Sequence, residues 1–182
     1  MNYYISDTHF GHANIINLDD RPFDDVQNMD EAIMTLWNET VSVNDDVYML
    51  GDLCFRNSKP ADWYLSRLAG HKHLIIGNHD GDLLRNKKAL KMFDSVDSML
   101  HIKDMLDGKT VDAILCHYPL IEWDGYYKGW YHIFGHIHSA MNKSGKIMAK
   151  EPKALNAGCM INNYMPVTLK ELIAYNNKFY DR

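Results

Sequence analysis

Five short blocks of polar residues recur along the chain, each where a β-strand is predicted to end. They are Asp7-Thr8-His9, Gly51-Asp52, Gly77-Asn78-His79-Asp80, His117 and Gly135-His136-Ile137-His138. In an open α/β sheet the loops from several strands converge beyond the carboxyl ends of the strands. Blocks that are distant in sequence are therefore predicted to meet at one site. Their mixture of carboxylate, amide and imidazole groups suits a pair of divalent first-row metals.

The alternation of apolar runs and turn signals predicts an α/β fold in one domain that covers residues 1–182. Strands are predicted at residues 2–6, 46–50, 73–76, 98–106, 110–116 and 131–134, with a further apolar run at 155–159. Helices are predicted at residues 25–43, 61–68, 83–92 and 168–175. Asp107-Gly108 indicates a hairpin turn between the fourth and fifth strands, and Thr168 is expected to cap the last helix.

Composition restricts the class of protein and its surroundings. Apolar residues make up 46% of the chain and charged residues 24%, which is ordinary for a globular domain. The three cysteines are odd in number and lack CxxC spacing, which indicates thiols in a reducing compartment. We find no secretory leader and no apolar stretch that could span a membrane, so a cytoplasmic location is expected.

The formal charge of −5 bears on the choice of partner. An acidic protein does not favour broad, nonspecific binding to a nucleic-acid backbone, so long duplex nucleic acid is not an expected substrate. A small phosphate ester, including a nucleotide-derived one, remains compatible with this charge. The sequence leaves the oligomeric state open, and a homodimer is one alternative.

The five blocks match, in order, the motif series DxH, GD, GNH(D/E), H and GHxH, and the chain therefore resembles the calcineurin-like metallophosphoesterase family. The motifs extend from Asp7 to His138, and the chain is similar to the small, single-domain bacterial and phage members. The resemblance implies a two-sheet β-sandwich flanked by helices. It also implies a hydrolase of phosphate esters.

The resemblance assigns a role to each matching residue. One metal would be held by Asp7, His9, Asp52 and His138, and the other by Asp52, Asn78, His117 and His136. The metals would be two divalent ions, with Mn²⁺ expected first and Fe, Ni or Zn as alternatives. The family mechanism uses a hydroxide that bridges the metals and attacks phosphorus in line. His79 would donate a proton to the leaving alkoxide, and Asp80 would steer His79.

Several further residues are candidates for substrate contacts. His12 would line the same pocket as His9, either as a phosphate or leaving-group contact or in a structural hydrogen bond. Arg21 and Arg56 are candidates for clamping a phosphate, with an ordinary surface position as the alternative for each. Residues 118–131 are rich in aromatics and are expected to overhang the site. These aromatics would stack on a base or aryl leaving group, or pack against the body of the protein or a second subunit, and we favour packing.

Three functional interpretations compete. A phosphodiesterase is slightly favoured over a phosphomonoesterase, because a chain with no room for a cap domain should have an open site. A metal-dependent nuclease is the alternative within the same chemistry. The hypothesis from a different class is a noncatalytic scaffold on the same fold, which the complete set of ligands and His79 argues against.

Overall fold

Two four-stranded sheets and the helices packed against them give the protein an α/β architecture. The computed structural model describes residues 1–55 and 59–181. The strands are β1 Asn2–Ile5, β2 Asp46–Met49, β3 His71–Ile75, β4 Ser95–Asp97, β5 Met99–Leu106, β6 Lys109–Cys116, β7 Tyr131–Phe134 and β8 Ala154–Asn156. The helices are α1 Ala13–Leu18, α2 Val26–Thr40, α3 Ala61–Leu65, α4 Gly81–Arg85, α5 Lys87–Leu90, α6 Lys143–Met148 and α7 Leu169–Tyr180, with a 3₁₀ turn at Tyr126–Lys128.

The first sheet is parallel throughout, in the order β1-β2-β3-β4. Successive side chains of a strand point to opposite faces, and β1 shows both faces in use. Tyr3 and Ile5 are buried in a cluster with Trp37 of α2. Tyr4, between them, is buried in a second cluster with Leu115 of the other sheet. The first sheet is therefore covered by helices on one face and by the second sheet on the other.

The second sheet has the order β5-β6-β7-β8. Strands β5 and β6 are antiparallel and form the predicted hairpin, in which Asp107 and Gly108 both have positive φ angles, 48° and 78°. Two successive positive φ angles are typical of the type I′ turn that matches the twist of a hairpin. Strands β6, β7 and β8 are parallel, so the residues that follow β6 and β7 emerge at the same edge of the sheet.

The predicted helices are confirmed at their starts more closely than at their ends. Asp25 caps α2 by accepting a hydrogen bond from the Asn28 backbone N–H at 2.8 Å, and Thr168 forms a capping box with Glu171 at the start of α7. The single helix predicted at residues 83–92 is wrong. Helix α4 ends at Arg85, and the side chain of Asn86 then caps the start of α5, so α4 and α5 are separate helices.

Four elements were not predicted: α1, β4, α6 and the 3₁₀ turn. The apolar run at residues 155–159 is a strand only in its first part, because β8 ends at Asn156. Beyond β8 the Ala157 N–H donates to Phe134 O of the second sheet, and the Cys159 N–H donates to Ser6 O beyond β1. This short segment therefore joins the two sheets at the edge where the strand ends converge.

All three cysteines are buried, and no disulfide joins them. Cys159 Sγ lies 3.3 Å from the Asp7 carbonyl oxygen, directly behind the first polar block. Among residues 1–55 and 59–181, no helix combines the length and the apolar content that crossing a lipid bilayer requires.

Candidate metal centre

The five polar blocks lie together at the carboxyl ends of strands from both sheets. Three blocks follow β1, β2 and β3 of the first sheet, and two follow β6 and β7 of the second. The Asp7 carboxylate accepts a hydrogen bond from the His136 backbone N–H at 3.0 Å, which joins the first and last blocks. The fold thus brings together residues that lie 129 positions apart in the chain.

The first group of potential ligands consists of Asp7, His9 and His138. One ligand atom from each lies within 4.8 Å of the other two. His9 Nε2 is 3.3 Å from His138 Nε2, and His138 Nε2 is 3.7 Å from Asp7 Oδ1. Two neutral imidazole nitrogens at this distance share at most one proton, whereas a cation between them would satisfy both lone pairs.

The second group consists of Asp52, His117 and His136, again within 4.8 Å of one another. Asn78 joins it, because its Oδ1 lies 3.0 Å from His117 Nε2 and 2.9 Å from His136 Nδ1. Asp52 Oδ2 is 3.5 Å from His117 Nε2 and 3.9 Å from His9 Nε2 of the first group. The Asp52 carboxylate therefore lies between the two groups.

Five of the seven residues have left-handed backbone, a feature that sequence reasoning missed. They are Asp7 (φ 56°), His9 (φ 50°), Asp52 (φ 56°), His136 (φ 69°) and His138 (φ 52°). Residues other than glycine adopt such angles in only a few per cent of cases, and the conformation costs of the order of 1–3 kcal/mol for each residue. Strain concentrated in this way is typical of a functional site.

Glycines beside the ligands permit the close approach of these loops. A Cβ atom on Gly51, whose φ is 87°, would lie 2.6 Å from both Gly77 Cα and His117 Nδ1. A Cβ on Gly135 would overlap Ser6 Oγ and lie 2.6 Å from Asp7 Oδ2. Real Cβ atoms essentially never come closer than 3.0 Å to such neighbours, so any larger residue would displace the ligand-bearing loops.

A second layer of hydrogen bonds orients the imidazole rings. His117 Nδ1 donates to Leu50 O at 2.7 Å, which directs Nε2 towards Asn78 and Asp52. His138 Nδ1 lies 2.7 and 2.8 Å from the two oxygens of Asp19, which directs its Nε2 towards Asp7. Outer carboxylates and carbonyls of this kind commonly fix the tautomer of a metal-binding histidine. Asp19 was not predicted, since it belongs to none of the motifs.

Burial and charge set the protonation of the site. Burial lowers the pKa of His9 to about 3, so this ring is neutral at neutral pH, as a metal ligand must be. Burial also disfavours a charged His117, but the hydrogen bond to Asp52 and the charges of Asp7 and Asp52 outweigh it and raise the pKa of His117 to about 9. Although burial opposes ionisation of Asp52, the neighbouring His117 holds its pKa below the usual range.

The arrangement of donors fits two divalent cations. Each group offers a carboxylate and two imidazoles, and the second also offers the Asn78 amide oxygen. Mixed oxygen and nitrogen sets of this kind suit Mn²⁺, Fe²⁺ and Zn²⁺. The depressed pKa of Asp52 and the neutrality of His9 favour the ligand forms, and the proton on His117 Nε2 would have to leave when a cation binds.

His79 and Asp80 differ in position. The His79 side chain is exposed beside the centre, and its backbone N–H donates to Asp52 Oδ1 at 2.8 Å. The Asp80 carboxylate is fully buried and accepts three backbone N–H bonds, from Gly77 at 2.8 Å, Asp52 at 3.0 Å and Leu53 at 3.1 Å. The expectation that Asp80 steers His79 is therefore wrong, because these bonds make Asp80 a brace between two ligand loops.

The predicted phosphate contacts have different outcomes. His12 lines the expected cleft, with its ring centroid 5.6 Å from that of His9. Arg21 does not face the cleft, and its assignment as a phosphate clamp is wrong. Its guanidinium is buried and donates to Asp7 O at 2.8 Å and Thr8 O at 2.9 Å, while Asp19 accepts from it at 3.0 Å. Arg56 lies outside the described residues.

The aromatic segment at residues 118–131 mostly packs against the body of the protein, as favoured from the sequence. Trp123 is buried, and its indole N–H donates to Trp130 O. The Trp130 ring stacks on His101 of β5 with centroids 4.4 Å apart. Tyr118 and Tyr127 are exceptions. Tyr127 is 85% exposed, and Tyr118 is 45% exposed with its ring centroid 4.7 Å from that of His136.

An open cleft of about 620 Å³ leads to the centre. Histidines and apolar side chains make up most of its lining; the histidines are His9, His12, His79, His136 and His138, and the apolar residues are Ile15, Leu18, Phe55, Ile137 and Ala140. A cleft of this size accommodates a small organic molecule. It therefore gives a ligand direct access to both groups of potential metal ligands.

Comparison with known proteins finds relatives that span nearly the whole chain. No family model matches it. It is 31% identical to the uncharacterized protein MJ1445 of Methanocaldococcus jannaschii over 175 residues, which cover 94% of this chain and 88% of the relative. It is 29% identical to the gene 66 protein of Mycobacterium phage L5 over 172 residues, with 82% and 83% covered. The crystal structure of AQ665 from Aquifex aeolicus, a protein of unknown function, superposes with a TM-score of 0.68 at 27% identity, with 94% of this chain and 97% of that chain covered.

Proposed function

We propose that this chain, which belongs to the same family as the uncharacterized protein MJ1445 of Methanocaldococcus jannaschii, hydrolyses phosphate esters with the help of two divalent metal ions. The two-sheet architecture agrees with a metallophosphoesterase fold, in which the ligands come from loops at one edge of the sandwich. A cytoplasmic location remains a prediction from the sequence.

The position of Asp52 is the observation that carries the proposal. One of its oxygens lies 3.5 Å from a histidine of the second ligand group and 3.9 Å from a histidine of the first. A carboxylate between two sets of ligands is suited to holding two cations close together, as two-metal hydrolases require. Asp7 and Asp52 are both nearly fully buried. Buried carboxylates are costly without a counterion, and two cations would compensate them.

Phosphate is the substrate group that best suits such a centre. When bound, two divalent cations would supply Lewis acidity that polarises phosphoryl oxygens and lowers the pKa of water. Two divalent charges exceed the charge of the two carboxylates, so the centre would attract an anion. A neutral amide would gain less from this excess of positive charge.

His79 is positioned to serve the leaving group. Its side chain is exposed and lines the cleft, and its backbone is fixed by the hydrogen bond to Asp52. In hydrolysis, water adds to phosphorus, the bond from phosphorus to the leaving oxygen breaks, and that oxygen needs a proton. The imidazolium of His79 would donate this proton and recover one from the attacking water, which is the usual function of a general acid.

Diesters are the favoured substrate subclass. A diester carries one charge fewer than a monoester, and it requires space for groups on both sides of phosphorus. The cleft of about 620 Å³ is open and offers apolar side chains beside the histidines. We therefore expect a small diester, nucleotide-derived or aryl, to bind more readily than a long duplex.

The decisive experiment compares the hydrolysis of bis-p-nitrophenyl phosphate and p-nitrophenyl phosphate by the protein loaded with Mn²⁺, with bound metal counted by mass spectrometry. Faster cleavage of the diester is expected. The Asp52→Asn variant should lose metal and activity, whereas Asp24→Asn, which removes the same charge from an exposed bend, should retain both. Two bound metals with no cleavage of either ester would refute the hydrolase proposal and favour the scaffold.

A further inference from the structure

A second, smaller cleft adjoins the main one at His79. It has a volume of about 160 Å³ and is lined by Phe55, Asn78, His79, Gly81, Asp82 and Arg85. Phe55 and His79 line both clefts, and their rings are perpendicular with centroids 4.9 Å apart. The two clefts therefore meet along these two side chains, and a ligand can extend from one into the other.

Arg85 is the only lysine or arginine among the described residues that line either cleft. It lies at the end of α4, and its guanidinium pairs with Asp82 one turn earlier. Both side chains are at least 70% exposed. Exposed ion pairs contribute little free energy, so an incoming anion competes with Asp82 for Arg85 at small cost.

We propose that Arg85 binds a second anionic group of the substrate, one that is not hydrolysed. This inference rests on the proposed function, because it assumes that the reacting phosphate lies at the metal centre. His79 faces the leaving group in that arrangement, so the second cleft, which adjoins at His79, receives the distal part of the leaving group. The substrate class is then phosphate esters whose leaving group carries a further phosphate or carboxylate.

The chemistry of Arg85 suits this role. A guanidinium presents donors in a planar fork that matches two oxygens of a phosphate or carboxylate. Asp82 would repel an anion that did not contact Arg85, and this repulsion would favour ligands whose second charge reaches the guanidinium. Phe55 offers an apolar surface between the two charged positions, suited to a sugar or ring that connects two phosphates.

The test compares two ligands that differ by one phosphate: thymidine 3′,5′-bisphosphate and thymidine 5′-monophosphate. Their dissociation constants are measured by isothermal titration calorimetry on the protein loaded with Mn²⁺. Release of inorganic phosphate is followed in parallel to confirm that each ligand stays intact. We expect the wild-type protein to bind the bisphosphate about fivefold more tightly, the upper size of effect for a charge pair at an exposed guanidinium.

Three variants make the test specific. Arg85→Gln should lose the preference for the bisphosphate. Lys87→Gln removes the same charge two residues later, from an exposed side chain outside the second cleft, and should keep the preference. Asp82→Asn should strengthen the preference about two- to threefold, since it removes the competitor for Arg85.

Two results would overturn the inference: a wild-type protein that binds both ligands equally, and an Arg85→Gln variant that keeps the preference. If that variant also weakens both ligands by the same factor, Arg85 contacts the phosphate at the metal centre instead. Failure of the proposed function is distinguishable, because it appears as absent cleavage of aryl phosphates, whereas this binding preference requires no turnover.

Discussion

Replacing Asp19 by asparagine tests whether the residue that orients His138 controls the first group of ligands. Asp19 accepts from His138 Nδ1 with both oxygens, at 2.7 and 2.8 Å, and its side chain is only 8% exposed. Solvent therefore screens the interaction weakly. The asparagine side chain would keep one carbonyl oxygen as an acceptor for the Nδ1 proton but would remove the negative charge that favours this orientation.

The expected magnitude follows from the type of contact. Loss of an outer-layer partner of a metal ligand usually lowers metal affinity or activity by about 10–100-fold, or about 1.4–2.7 kcal/mol. Because the amide oxygen preserves one hydrogen bond, we expect the lower end, about tenfold. The loss should fall on the group Asp7, His9 and His138, since the side chains that the Asp19 carboxylate contacts are His138 and Arg21.

The assay is a Mn²⁺ titration followed by calorimetry, with urea unfolding of the metal-free protein as a check on folding. Two separate binding steps are expected in Asp19→Asn, one of them unchanged from the wild-type protein. Asp20→Asn is the matched control, because Asp20 is the exposed neighbour and asparagine tolerates its positive φ of 50°. Equal weakening of both steps, or no weakening in a folded variant, would refute the reasoning.

Three further perturbations test other parts of the site and the core. Asp52→Asn should weaken both metal-binding steps and abolish turnover, because its carboxylate lies between the two ligand groups. The same Mn²⁺ titration measures the two steps, and a variant that keeps one step at full affinity and remains active would contradict this. His79→Gln should leave metal content unchanged but slow esters with poor leaving groups by about 10²–10⁴-fold, whereas equal slowing of aryl and alkyl esters would make His79 a binding residue. His132→Gln addresses stability, because burial lowers the pKa of His132 to about 4. The contribution of the neutral ring to the free energy of unfolding is complete above about pH 6.5 and is lost progressively as the pH falls from there to about 4. Wild-type stability should fall by about 2 kcal/mol more than that of the variant between pH 7.5 and pH 5, measured by urea unfolding, and parallel pH profiles would show that His132 does not govern this loss.

The sequence predicts well which residues meet at the candidate site, because the relevant signal is local. Asp7 and His9 stand two positions apart after a strand, as do His136 and His138, and each glycine precedes the residue whose loop needs it. Parallel strands then deliver these loops to one edge without any further information. The convergence of the blocks and the hairpin at Asp107-Gly108 follow from short-range patterns of this kind.

The errors concern side chains whose partners are distant in sequence. Asp19 meets His138 across 119 positions, and nothing near Asp19 indicates that contact. Arg21 is a candidate for phosphate binding from its residue type alone, but the chain turns it inwards onto the carbonyls of Asp7 and Thr8. Asp80 follows His79 directly, yet its carboxylate points to backbone N–H groups of another loop. Adjacency in sequence does not determine the direction of a side chain.

The splitting of the helix predicted at residues 83–92 has a similar origin. Apolar spacing favours one continuous helix, but the Asn86 side chain offers the backbone an alternative by capping the N–H groups of Lys88 and Ala89. Asparagine competes with helical hydrogen bonding in this manner. Whether it ends a helix depends on the tertiary contacts available, here the Asp62 carboxylate that accepts from the Asn86 amide.

The distribution of the ligands over both sheets has a consequence for how the protein is made. On a ribosome, Asp7, His9 and Asp52 emerge first, and His136 and His138 emerge only after roughly three quarters of the chain has been synthesised. Neither group of three is complete before that point, because each one contains a histidine from the last block. A nascent or truncated chain thus offers only partial sites. Under the proposed function, capture of a cation would be a late event that requires a finished fold, and it would selectively stabilise those chains whose two sheets have docked.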